Sequence, residues 1–445
     1  MSPPVHAKVT VCPYVQPLNS TWYNDFQSVI TSEPAGWKEC HIAWVREIGS
    51  QPGPQPKNLT AASWEIFYGA SYPISQPGGG GIIYDFNEVR ITNNSVKDYN
   101  PMIDMDAHGV VHIIWVRETV LGGTDPNAGV SDIMYSNSTN WKIQLNVSRQ
   151  EAGKKNWYPT LVVENATGQP HIAWQVGYQS PAGEIYYRKG PSGPLVKVTN
   201  TPSNSWTPSI DLDQKQKIHC VWAEQCGSDM DIRYTNSTIW PATINSGYLN
   251  ISEQVDNHAN DLRPDISVSI NSIHVTYYRP QVNSLILWAV SNPTNTYFLD
   301  LGDVSPRGEN SLNPSIKVAK NNNPVITYEL LQDPDDWAAF ITDYNGTGGE
   351  TWESTGLYSG NNPATFNWSS IGALDIDLKW NLAYTTFYAN KGNISVPDWD
   401  VYVYFLSISG EGIDEIPGFE LFYLMISLFG AAIIFNAPKR KFLKF

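Results

Sequence analysis

Four cysteines in 445 residues are too few for a scaffold held by disulfides, and none stands in a Cys-x-x-Cys pair, which removes the usual thiolate metal sites and redox motifs. Charge is scarce as well: Asp, Glu, Lys and Arg make up 16% of the chain. Lys and Arg number 28 against 43 Asp and Glu, for a net charge of −15, and phosphate recognition needs clustered cations that this balance does not supply. A nucleic-acid partner is therefore excluded. No glycine-rich loop leads into Lys-Ser/Thr, so Gly78–Gly81 reads as a turn and not as a phosphate cradle. No nucleophile elbow is present and no helical apolar period appears before residue 416. With 33 Gly and 31 Pro, long helices are not expected there. No cofactor and no metal site are expected.

What is abundant is tryptophan, 17 residues of it, and it recurs. The phrase His41-Ile42-Ala43-Trp44 returns as His112-Ile113-Ile114-Trp115, His171-Ile172-Ala173-Trp174, His219-Cys220-Val221-Trp222 and His274-Val275-Thr276-Tyr277. Weaker copies follow at Val325–Tyr328 and Asn381–Tyr384. Successive copies lie 71, 59, 48, 55, 51 and 56 residues apart. A short apolar strand precedes most copies, usually opened by proline (Pro101, Pro159, Pro208, Pro264, Pro314), and another follows, as at Asp132–Ser136 and Glu184–Arg188. Units of strand–turn–strand with no helix between them predict an all-β, seven-bladed β-propeller, with six or eight blades as alternatives.

The phrase explains why such blades stack. Neighbouring strand residues face opposite sides. The third position is small or β-branched and the fourth is always aromatic, so each blade has one thin face and one carrying a ring. An aromatic from one blade can fill the thin face of the next. The last unit, with strands near 372–378, 380–388 and 400–407, lacks a fourth strand, and Ala7–Pro13 has no other partner. The N-terminal segment is thus expected to complete the last blade.

Chemistry-bearing residues are few. The five phrase histidines occupy one strand position in successive blades, which favours hydrogen-bonding roles over convergence on a metal. The acid pairs Asp104/Asp106, Asp211/Asp213 and Asp375/Asp377 read as turn caps, with structural Ca²⁺ as the alternative. Around the channel mouth the entering strands carry Tyr99, Trp157, Trp206 and Arg263, and the departing strands carry Arg46, Glu47, Arg117, Glu118, Glu224 and Arg279. Aromatic faces beside Arg and Glu suit a glycan, and the competing reading is that the rings wedge blades while the charges pair within the repeat.

The Ile-x-Trp second strand resembles that of sialidase-like propellers of secreted proteins, over roughly residues 20–410. The Ser-x-Asp-x-Gly-x-Thr-Trp turn of those hydrolases is absent, and their three-arginine cluster and Tyr/Glu pair do not align. The preferred reading is a non-catalytic binding, adhesion or envelope propeller directed at glycans or surface proteins; the alternative is a sialidase-like glycoside hydrolase or lyase.

The chain ends give an address. Leu421–Phe435 is uncharged, and extended to 416–437 it is long enough to span a bilayer, with Lys439, Arg440, Lys441 and Lys444 behind it. This orientation places a 1–409 ectodomain and a 410–415 acidic linker outside the cell, with a 438–445 basic tail inside. Asn-x-Ser/Thr occurs at Asn19, Asn58, Asn93, Asn137, Asn146, Asn165, Asn236, Asn250, Asn345, Asn367 and Asn393, as suits an exported glycoprotein. Export permits a disulfide, with Cys12–Cys40 preferred and free thiols as the alternative. No signal peptide is visible at Met1–His6. The ending Ile416-Pro417-Gly418-Phe419, after an acidic stretch and before the apolar run, resembles the PGF-type sorting signals of archaeal surface proteins, which implies recognition by a sorting enzyme.

Overall fold

The computed structural model describes residues 10–407 with interruptions, the longest at 18–24, 33–39, 49–62, 121–128, 253–259, 359–367 and 391–398; residues 1–9 and 408–445 lie outside the described residues. Apart from a single 3-10 turn at Arg149–Glu151, every described element is a strand. Six sheets are four-stranded antiparallel meanders, each with its strands in chain order. Their first strands are Asp25–Ser32, Asp98–Met105, Asn156–Val163, Ser205–Leu212, Leu262–Val268 and Asn310–Val318, which begin blades one to six. Each first strand packs on the first strand of the next blade, so these strands surround a common axis.

Four-stranded blades thus number six where seven were expected. The last repeat unit forms a five-stranded sheet instead: Trp368–Asp377, Leu382–Asn390 and Trp399–Ser407 pair in order, and Thr10–Val11 and Gln16–Pro17 both pair with Trp399–Ser407. The two N-terminal segments lie along one edge and together fill the fourth strand position. This sheet packs against blade six on one side and blade one on the other. The expected N-terminal strand is where the pairing places it, with Thr10 opposite Ser407 and Val11 opposite Leu406.

Between blades the core follows the phrase. Ala43 and Val45 of blade one share a cluster with Ile113 and Trp115 of blade two. The same relation joins Ile114 to Trp174, Ala173 to Trp222 and Val221 to Tyr277. Trp44, Trp115, Trp174 and Trp222 are all fully buried. A ring from one blade therefore seals the thin face of the blade before it, and each such ring removes on the order of 150–250 Å² from water.

The thin face has a second cause that the phrase alone does not show. Opposite Ala43, Ile114, Ala173 and Val221 stand Tyr68, Tyr135, Tyr187 and Tyr234 of the third strand. Each tyrosine hydroxyl lies 2.6–2.8 Å from Nδ1 of the phrase histidine two residues earlier, His41, His112, His171 or His219. In blade five Trp288 replaces the tyrosine and donates to His274 Nδ1 at 3.3 Å. The second ring nitrogen of His171 lies 2.9 Å from Glu164 Oε1, so the imidazole donates there and accepts from Tyr187. Burial drives His41, His112, His219 and His274 down to about 4, leaving them neutral near pH 7. The expected hydrogen-bonding role of these histidines holds, with tyrosine as the partner.

Cys40 is buried with its backbone N–H donating to Ser71 Oγ, while Cys12 lies outside the described residues. The 416–437 segment also lies outside them, and among the described residues no helix is long and apolar enough to cross a membrane.

Candidate functional site

Five of the opening prolines follow a residue in the left-handed region: Asn100, Tyr158, Thr207, Arg263 and Asn313, all with φ between 46° and 50°. Gln27 takes the same conformation in blade one, where Ser28 replaces proline. At each of these six places the pairing with the second strand skips two residues, as between Tyr99 and Met102 or Leu262 and Asp265. These are bulges in the innermost strands. The two skipped residues have no partner strand, so they sit on the axis side near the end where the strands begin. The bulges of blades one and two touch: the Asn100 backbone N–H donates to Gln27 Oε1 at 3.0 Å. The result is a ring of six side chains at the mouth of the channel.

Its members are not equivalent. Asn enters the left-handed region readily, whereas a bulky or β-branched residue there is an outlier that costs roughly 1–3 kcal/mol. Blades two and six use Asn100 and Asn313; the three consecutive blades between three and five use Tyr158, Thr207 and Arg263. Tyr158 is 37% exposed, with its ring 4.9 Å from Trp157. Arg263 is exposed, and among the described residues its guanidinium makes no ion pair or hydrogen bond. Thr207 Oγ1 is buried with no hydrogen-bond partner. Glu118 lies alongside: burial, then Glu118 and Tyr158, push the Tyr99 phenol up to about 12.

Deeper in the channel lies a charged throat. Lys317 of blade six is acted on by Asp375, Asp211, Asp104 and Asp265, from the terminal sheet and blades four, two and five. Blades two and four do not adjoin blade six, so these groups face one another across the axis. Burial works against the ammonium, but the four carboxylates hold it above its ordinary range. Its side chain keeps 39% of its exposure, which makes the throat wet. The same carboxylates latch the blades together. Asp104 accepts from Val163 N, Asp211 from Val268 N, Asp375 from Ser32 N, and Asp265 from Ile316 N, all at 2.6–2.9 Å. Each thereby satisfies an inner-edge N–H that no further strand can pair. Burial raises Asp104 to about 7 and also raises Asp211.

The residues foreseen at the mouth divide into three groups. Arg46, Arg117, Arg279 and Glu224 are held inside their own blades. Arg46 pairs with Glu88 at 2.6 Å, and Arg117 grips Asp98 at 2.8 and 3.0 Å. Arg279 holds Asp261 at 2.7 and 2.9 Å, and Glu224 accepts from Ser205 and from the Trp222 indole. Asp98 likewise accepts from the Trp115 indole, so these groups anchor the buried tryptophans. Tyr99, Trp157 and Trp206 pack partly buried against the interblade clusters, with the Lys155 ammonium 4.0 Å from the Trp157 ring. Glu47, Glu118 and Arg263 remain at the rim, half-buried or exposed.

Tyr158 and Thr207 were missed, although each sits directly before a proline already noted as the strand opener. Lys317 and Asp265 were missed because only closure of the ring brings them together. Of the acid pairs, Asp106 and Asp213 do cap turns, through His108 N, Val110 N, Lys215 N and Lys217 N. Asp104, Asp211 and Asp375 belong to the throat instead. Among the described residues no group of three or more His, Cys, Asp or Glu is arranged to hold a metal.

No family model matches the chain, and no curated protein matches it. Solved structures do. A protein of unknown function from Dyadobacter fermentans superposes with a TM-score of 0.51 at 10% identity, over 89% of this chain and all of that one. A polysaccharide lyase described as an ulvan lyase gives 0.42 at 12% identity, over 66% of this chain and 81% of its own. An α-L-arabinanase from Penicillium chrysogenum, complexed with arabinobiose, gives 0.42 at 12%, over 69% and 92%. At such identity these likenesses show the propeller fold alone.

Proposed function

We propose that this chain is a saccharide-binding propeller whose ligand sits at the channel mouth, on the arc formed by Tyr158, Thr207 and Arg263. One observation carries the reading: three adjacent blades hold costly residue types in the left-handed region, and among the described residues the Arg263 guanidinium makes no ion pair or hydrogen bond. Strain kept where an easier residue would fold equally well marks a functional position. An exposed ring on the same arc as an exposed guanidinium is the chemistry that receives a sugar, through stacking on its face and hydrogen bonds to its hydroxyls. Binding is preferred over hydrolysis because Glu224, an acid foreseen for the mouth, is engaged by Ser205 and Trp222 within its own blade.

The five-stranded terminal sheet serves, on this reading, as a seventh blade that closes the ring. The propeller is displayed outside the cell, anchored through 416–437 and the sorting signal, and carries glycans at Asn-x-Ser/Thr sites. Among the described sites, Asn93 and Asn165 are exposed, whereas Asn137 and Asn236 are half-buried with their Oδ1 accepting from Thr139 and Thr238. Titrating the full chain with a panel of oligosaccharides, and repeating it with Tyr158→Ala, tests the proposal. Saturable binding weakened at least tenfold by the substitution is expected; binding untouched by it removes the mouth as the site.

A further inference from the structure

We infer that the saccharide taken at the mouth is acidic, a uronate whose carboxylate docks on Arg263 while its ring lies against Tyr158. The inference rests on the saccharide reading above and adds the charge of the ligand. In a chain with 43 acidic and 28 basic residues, most cations near the axis already have partners. Arg46, Arg117 and Arg279 are each bound to a carboxylate, and Lys317 is held by four. Lys155 lies over the face of Trp157. Arg263 differs from all of these: it is exposed, makes no ion pair among the described residues, and sits in a backbone conformation that disfavours arginine.

A fold-level role does not require that choice. The equivalent bulges of blades two and six are built with asparagine, and they form the same turn before the same proline. A guanidinium contributes what asparagine cannot, a planar fork that matches a carboxylate with two parallel hydrogen bonds.

The surroundings fix where the acid must lie. Glu118 and Tyr158 both act on Tyr99, so a carboxylate at that end of the arc would meet the Glu118 charge. The throat below is lined by aspartates, so the acid cannot descend along the axis. Asp265, two residues past Arg263, is already engaged by Ser209 Oγ, Ser315 Oγ, Ile316 N and Ile266 N, and leaves the guanidinium to the ligand. The ligand is therefore oriented, with its neutral face on blade three and its acid on blade five.

The test compares an oligogalacturonate with its carboxyl-reduced, neutral counterpart, titrated into the full chain and into Arg263→Asn and Arg263→Lys. The unsubstituted protein is expected to prefer the acidic form at least tenfold, with the preference shrinking as salt is raised. Arg263→Asn should abolish the preference, leave weak binding of both sugars through Tyr158, and melt at a higher temperature because asparagine relieves the backbone. Arg263→Lys should keep part of the preference, since charge remains without the fork. A sulfated neutral oligosaccharide that outcompetes the uronate would assign the guanidinium to sulfate and overturn the proposal. Equal affinity for acidic and neutral sugars in the unsubstituted protein would overturn it while leaving the saccharide reading intact. Failure of every oligosaccharide to bind would remove both.

Discussion

The base of each blade and its mouth obey opposite rules. At the base, four blades repeat one device: a buried histidine, a tyrosine hydroxyl on its Nδ1, and a small or β-branched residue opposite the tyrosine. At the mouth the backbone repeats just as closely, with six bulges at the same φ, but the side chains differ in every blade apart from two asparagines. Repetition of side chains shows what a blade needs in order to stack. Repetition of backbone without repetition of side chains shows where the stack has been adapted to something else.

The largest test of that division is a matched pair of truncations. Trp174→Ala at the interblade core should destabilise the protein by about 3–5 kcal/mol, since it empties a fully buried site and orphans the Asn156 side chain that accepts its indole N–H at 3.0 Å. Tyr158→Ala should lie within about 1 kcal/mol of the parent, because the residue is 37% exposed and belongs to no interblade cluster among the described residues. Calorimetric unfolding of both variants measures the gap. Equal losses would mean that the mouth residues are packing elements too.

A smaller effect is expected at the throat, which lies between the two regimes. Lys317→Met removes the cation that four aspartates share, at a cost of roughly 1–2 kcal/mol after discounting for its water contact. Lys317 has its pKa raised in the fold, so its contribution is complete at neutral pH and is lost only in strong base. Asp104 is raised to about 7, so its burial weakens the fold as pH climbs from the ordinary Asp range towards 7. The variant should therefore lose more stability than the parent over that interval, and denaturant titrations at pH 4 and pH 7 would show the difference. A deficit independent of pH would place the lysine's role in packing.

The contrast also explains what the sequence reveals. Stacking chemistry is legible because it repeats with the side chains: the His-x-x-Trp phrase, the small third position and the incomplete last unit lead to interblade seals and to an N-terminal strand beside Trp399–Ser407. The tyrosines recur as well, at the end of Glu65–Tyr68, Asp132–Tyr135, Glu184–Tyr187 and Asp231–Tyr234, but the histidine each one meets is set by strand register, which the repeat alone does not give. The bulges are illegible for a stricter reason. A residue before proline ordinarily favours extended backbone, so Tyr158-Pro159 and Arg263-Pro264 read as strand starts and not as left-handed kinks. Arg46, Arg117 and Arg279 were placed at the mouth by direction alone, and whether Glu88, Asp98 and Asp261 would already hold them depends on pairings that composition does not encode.

At the base, Tyr187→Phe leaves His171 Nδ1 without its donor and should cost about 1–2 kcal/mol. Acid should act on all these histidines together. Their pKa values are depressed by burial, so their neutral forms support the fold above about pH 6.5, and that support drains away as pH falls towards 4. Unfolding followed by tryptophan fluorescence across this window should be cooperative. A flat profile between pH 6.5 and 4 would show that the imidazoles are not the acid-sensitive element of the base.

The smallest expected effect is the most discriminating, because its sign differs between two residues in the same backbone conformation. Tyr158→Asn should stabilise the protein by roughly 0.5–1 kcal/mol, and Asn100→Tyr should destabilise it by a similar amount, since one removes and the other installs an unfavourable residue at φ near 48°. The Asn100 bulge offers a fair exchange site, because its bond to Gln27 comes from the backbone N–H and survives the substitution. Stability should then move against saccharide binding: the more stable Tyr158→Asn variant binds less. A protein that gains stability and keeps its affinity would show that blade three holds tyrosine at the mouth for no reason connected with a ligand, and the comparison between base and mouth would lose its functional half.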